Sequence, residues 1–198
     1  MVFVNTNYWS DQAFNYGKAP ANFSSADKLA GTNLLEKQLT GYTFVTLRSI
    51  GDQPAQHAPC YLAEWQTLPA GSFIPGWKLR PRAQFQTVAG MDVHGFDITN
   101  TIPFPLASTA PSAIVPQPYA ALPYVAFDYL GRLVSGTDEY IPLAQGSVVP
   151  ARDSTHALQM GPADVLETPP GNSVLAYNLI QIDALTGRAR LLHQEIQP

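Results

Sequence analysis

The sequence predicts a mainly β fold of the α+β kind: an antiparallel sheet with long Pro-rich loops and at most one short helix. Three observations carry that expectation. Eighteen prolines and fourteen glycines among 198 residues favour turns and short strands over long helices. Charged residues make up 13% of the chain, about half the usual quarter, so Ser, Thr, Asn, Gln, Gly and Pro must build much of the surface. Glycine turns flanked by β-branched and aromatic residues then follow one another from Tyr124 onward. The length suits a single domain over residues 1–198 with a full-sized core, and residues 100–123 form a long, proline-punctuated loop within it.

Taken in order, Val2 to Asn5 reads as a short strand and "DQAFNYGKAPANF" as an irregular, aromatic-rich connection. Ser24 or Ser25 caps a helix through "ADKLAGTNLLEKQL", with Leu35 and Leu39 turned inward at a four-residue spacing. Gly31 inside it costs about 1 kcal/mol relative to Ala and argues for a break. "YTFVTLRSI" is a strand by composition, and "GDQPAQHAP" is a loop. A strand from Cys60 to about Gln66, a Pro-Ala-Gly turn and a second short strand through Phe73 and Ile74 follow. Residues 78–96 carry no clear period. "YVAFDYLGRLVSG" is a hairpin in which Asp128 and Arg132 flank a three-residue loop, with Gly131 at the position that takes a positive φ. "EYIPLAQGSVVPA" reads as two short strands around Gln145 and Gly146. "RDSTHALQMGPADVLETPPGNS" is a loop leading to the last hairpin.

That hairpin, within "YNLIQIDALTGRARLLHQEIQP", has a definite register. With a loop over Ala184–Gly187, Asp183 stands opposite Arg188, Ile182 opposite Ala189, Gln181 opposite Arg190 and Ile180 opposite Leu191. One face is then apolar and the other polar, as suits a sheet with one side on a core and one in water. Opposite charges across such a ladder add roughly 0.2 to 1 kcal/mol, and Gly187 supplies the positive φ at the loop exit.

Charge excludes one class of partner. Only eleven Lys and Arg are scattered over a chain of net charge -4 and pI near 5.4, so no basic stripe is available for nucleic acid. The single cysteine, Cys60, excludes an internal disulfide. No apolar run reaches the roughly 18 residues of a membrane span, no signal peptide opens the chain, and the sequence reads as that of a soluble protein.

The residues with chemical potential are few. His57 and Cys60 in "HAPC" supply two of the four ligands of a zinc site, and read more simply as a loop histidine beside a buried thiol. Asp92, His94 and Asp97 in "MDVHGFD" would need a serine to make a hydrolytic set, yet no G-x-S-x-G elbow occurs. Asp138 and Glu139, with Asp164 and Glu167, lack the spacing of a calcium loop and read as solvated turns. His156 and His193 stand apart from the other histidines. Phosphate-binding glycine motifs are absent. Tyr8, Trp9, Phe14, Tyr16 and Phe23 could line a sugar-binding face, though such clusters more often pack an irregular segment onto a sheet. The expectation is therefore no catalytic residue, no cofactor-binding residue, no metal ligand and no enzyme.

The ordered series "VAFDYLGRL", "EYIPLAQGSV" and "NLIQIDALTGRARL" resembles the C-terminal sheet of pilin-like proteins, in particular minor pseudopilins of type II secretion and type IV pilus systems. "YLAEWQTLPAGSFI" is similar to the strand that leads into the family's "LP-x-G" turn. The likeness covers Tyr61–Ile74 and Tyr124–Ile196. It implies a head-type antiparallel sheet and a structural role in an envelope filament, with other pilin-like subunits, and secreted cargo, as partners. Members begin with a leader and a long apolar helix that anchors them in the membrane. This chain opens on "MVFVNT", which reads like the first strand after that helix, so the resemblance implies a periplasmic or extracellular head whose anchor is missing here. The alternative is a secreted β-sandwich module that binds carbohydrate through the N-terminal aromatics or the 100–123 loop.

Overall fold

The structure, a computed structural model, describes residues 1–4, 25–47, 59–88, 91–104, 119–159, 161–175 and 177–192. It is mainly β, with antiparallel ladders throughout the named strands. The strands are β1 (Val2–Phe3), β2 (Gly41–Thr43), β3 (Val45–Thr46), β4 (Cys60–Tyr61), β5 (Gln66–Thr67), β6 (Ser72–Phe73) and β7 (Phe85–Val88). They continue as β8 (Met91–His94), β9 (Thr101–Pro103), β10 (Tyr119–Ala121), β11 (Glu139–Val149), β12 (Asp164–Glu167), β13 (Asn178–Ile182) and β14 (Ala189–Leu192). Among the described residues two short helices are present, α1 (Ser25–Leu34), prolonged by a 3₁₀ turn at Leu35–Lys37, and α2 (Asn172–Leu175). The expectation of at most one helix missed α2, a single turn tied down when the Glu167 carboxylate accepts from the Ser173 amide and hydroxyl.

β1 is short but central. It pairs with β2, and Met1 and Val125 exchange backbone hydrogen bonds, the Met1 nitrogen donating to Val125 O and Val125 N to Met1 O. Because successive side chains on a strand point to opposite faces, Val2 and Val4 enter one core with Leu34, Leu35, Phe104 and Leu122. Phe3 enters a second with Phe73, Phe96, Leu133, Ile141 and Ile182, stacked on Phe96 at 4.6 Å between ring centroids. The alternation in "VFV" thus serves two cores.

The largest sheet is organised by β11. It pairs with β13 over Glu139–Leu143, with β6 at Ala144 and Gln145, and with β12 over Gly146–Val149. The two strands expected around Gln145 and Gly146 are therefore one strand of eleven residues. The glycine marks a change of partner rather than a break. Its φ of 153° and the backbone of Leu166, whose oxygen would lie 2.3 Å from a Cβ there, admit only glycine. β12 lies inside the segment expected to be a plain loop, and the 60–66 strand is split into β4 and β5.

The terminal hairpin has the register expected, Ile182↔Ala189, Gln181↔Arg190 and Ile180↔Leu191, with Asp183 N donating to Arg188 O and Gly187 at φ 63°. Its polar face is covered along β13, while Arg190 on β14 stays exposed. Gln181 is buried, and on that side Tyr177 and Leu179 pack with Trp77, Tyr140 and Met91 of β8. The 124–136 hairpin also forms, with Asp128 N donating to Arg132 O, Gly131 at φ 81° and an Arg132–Asp128 ion pair at 2.8 Å.

α1 runs unbroken through Gly31, which is buried, so close packing outweighs the propensity cost. Leu39 is buried as expected, but it lies beyond the helix in the left-handed region, φ 62°. The ends of the 100–123 segment pair as β9 and β10. Of the expectations for 100–123, the 105–118 stretch lies outside the described residues.

Candidate functional site

Residues 78–96, without a clear period in sequence, supply the most chemically dense region. β7 and β8 form a hairpin in which Phe85 pairs with His94 and Val88 with Met91. Lys78 sits in the segment leading to it, with no solvent exposure. Its Nζ donates to Glu139 Oε1 and to the His94 carbonyl, and lies 4.1 Å from the centroid of Phe96. Arg82 Nη2 donates to Glu139 Oε2, and Arg82 Nε donates to Asp97 at 3.0 Å. Two cations and two anions thus form a neutral network that clamps the hairpin onto the start of β11. Burial pushes the Lys78 ammonium below its ordinary value, and the Glu139 charge opposes that shift. Removing one member of a buried pair of this kind leaves an uncompensated charge.

Arg82 and Glu139 of this network line a cleft of about 470 Å³, together with Asp92, His94, Asp138 and Tyr140. Two groups far apart in sequence, "MDVHGFD" and "SGTDEY", therefore meet. They do not meet as a hydrolytic set. His94 Nδ1 donates to the Arg82 carbonyl at 3.1 Å, Asp92 accepts from the Thr87 hydroxyl, and Asp97 is turned to Arg82.

Asp138 and Glu139 were expected as a solvated turn, and the structure corrects this. Glu139 is 3% exposed. Asp138 accepts from Gln181 Nε2 at 2.6 Å and from Ala184 N at 2.8 Å, joining the start of β11 to the terminal hairpin. Asp164 is exposed on β12, while Glu167 is engaged with α2. Among the described residues no group of three or more His, Cys, Asp or Glu gathers as metal ligands do. Cys60 is exposed rather than buried, and His57 and His193 lie outside the described residues. So do Tyr8, Trp9, Phe14, Tyr16 and Phe23, the aromatics of the carbohydrate reading. His156 sits in an exposed turn at φ 64°, where its amide donates to Asp153 O.

A second, apolar groove of about 650 Å³ lies beside β1. Val2, Ile102 and Leu122 contribute to its floor, and Phe44, Leu62, Phe127, Tyr129 and Val134 stand exposed around it. Sequence reasoning missed Lys78 and Arg82. The available signal was "KLRPR", which holds three of the eleven basic residues in a chain otherwise sparing of them.

No family model, curated protein or solved structure matches the chain. Among the described residues no helix is long and apolar enough to cross a membrane.

Proposed function

We propose that this chain is the head of a pilin-like structural subunit, a minor pseudopilin type, that contacts neighbouring subunits or secreted cargo at the cell envelope. The observation that carries the reading is the way the three motifs behind the resemblance meet. The Asp128–Arg132 loop docks on the Asp183–Arg188 loop: Leu133 N donates to Ala184 O at 2.8 Å, and a Cβ on Gly187 would lie 2.0 Å from the Gly131 oxygen. Asp138, just before "EYIPLAQG", accepts from Gln181 Nε2 and Ala184 N, and β11 pairs with β13 over Glu139–Leu143. Gly187 is thus required both by its φ of 63° and by the approach of the Gly131 oxygen. The apolar groove beside Met1 adds surface of the kind that protein contacts use.

The test is fractionation of source cells with an antibody to this chain, together with the reading frame upstream of Met1. The proposal expects the protein in envelope fractions and an upstream extension coding for about 20 apolar residues. A stop codon immediately upstream, or a cytosolic protein, overturns it.

A further inference from the structure

Among the described residues β12 and β14 each have a single hydrogen-bonded neighbour, β11 and β13 respectively. Which backbone groups these edges present follows from the ladders. Asp183 N donates to Arg188 O, so Gln181↔Arg190 and Leu179↔Leu192 are also hydrogen-bonded pairs, and the N–H and C=O groups of Ala189 and Leu191 point away from β13. On the other strand Thr168 N donates to Gln145 O. By the same alternation the groups of Val165 and Glu167 point away from β11.

Short length and charge protect these edges only in part. Proline and β-bulges are absent within β12 and β14, and each exposes a leucine, Leu166 at 68% and Leu191 at 50%. Natural sheets blunt such edges because unpaired strand edges template pairing with another chain. The two edges also differ in charge. β14 with its approach carries Arg188 and Arg190 and no acid, whereas β12 begins with the exposed carboxylate of Asp164 and contains no base.

We propose that β14 of one copy adds to β12 of a second copy, so that the sheet continues across the contact. The interface is heterologous, with a basic edge meeting an acidic one, and β14 against β14 is disfavoured by like charge. It rests on the subunit reading for why copies meet, and on the two edges for how. A ladder of four residues on each side buries well below the roughly 1,000 Å² of a stable interface. The contact is therefore transient between free chains.

The experiment places a photo-reactive benzophenone side chain at Leu191 in the full chain, mixes isotopically light and heavy protein, and maps the adducts by mass spectrometry. Mixed-isotope adducts from Leu191 to the Asp164–Glu167 peptide are expected. Ala189→Pro removes only an outward-pointing amide, a change that edge strands tolerate, and should abolish those adducts with the circular dichroism spectrum unchanged. Asp164→Lys, on the partner edge, should weaken them equally and serves if the proline variant does not fold. Adducts that are absent, scattered over the surface, or insensitive to both variants overturn the proposal. The subunit reading fails separately, by fractionation: a chain found in the envelope without these adducts sinks only the edge pairing.

Discussion

Asp183 and Arg188 stand opposite each other in the last hairpin, but their charges do not pair. The Asp183 carboxylate turns into its own loop, accepting from the Thr186 hydroxyl and amide and from Leu185 N. Arg190, not Arg188, is the arginine held in place, donating from Nε to Gln181 Oε1 at 2.7 Å. Register was thus legible in the residue pattern, whereas the job of the aspartate was not, because a short polar side chain reaches nearby amides more readily than a partner across the ladder. The Thr186 hydroxyl holds the Asp183 carboxyl below its ordinary range, and the Arg132 amide does the same for Asp128. A depressed pKa in the fold stabilises above the unfolded value near 4 and is lost as pH falls through the folded value. Asp183→Ala should lower Tm at pH 7 and flatten the dependence of Tm on pH below about 4, as read by thermal denaturation across an acid series.

Individual elements were most legible where they are local. Hairpins announce themselves through glycine at a positive φ, and both Gly131 and Gly187 did so. β7 and β8 did not, because Phe85 and His94 pair on an exposed face and the hairpin is fixed by Lys78 and Arg82 contacts that span 61 and 57 residues. Glu139→Ala should cost about 3 to 5 kcal/mol by stranding Lys78. Lys78→Met combined with Glu139→Leu should recover most of it, which chemical denaturation of the three variants would decide. β11 likewise reads as two strands in sequence since its centre is a glycine, while the structure uses that glycine to let β12 approach. Gly146→Ala should detach β12, raising amide hydrogen exchange over Asp164–Glu167 and leaving Asn178–Ile182 protected; equal exchange in both strands would contradict that assignment.

For the molecule as a whole, two cores separated by β1 explain why a chain with 45% hydrophobic residues keeps so much irregular backbone: many short strands each contribute one or two buried side chains. The mainly β class was readable from proline, glycine and turn spacing. The polar cleft was not, since its walls come from residues more than forty positions apart, and sequence proximity says nothing about which turns converge. In the subunit reading, the apolar groove is the face to perturb. Phe127→Ser together with Val134→Ser should weaken recovery in a sheared filament fraction without loss of soluble, folded protein. Unchanged recovery would remove the groove from the contact surface.

The seat of Gly187 against the Gly131 oxygen has a consequence for how the chain reaches its fold. Each hairpin closes over a few residues and can form early, but their docking joins loops separated by more than fifty residues and so comes late, when loop-closure entropy has been met. A methyl group at Gly187 would then act mainly after the rate-limiting barrier. Gly187→Ala should speed unfolding several-fold while leaving the refolding rate nearly unchanged, making this one contact a governor of how long the native state lasts rather than of how fast it is found.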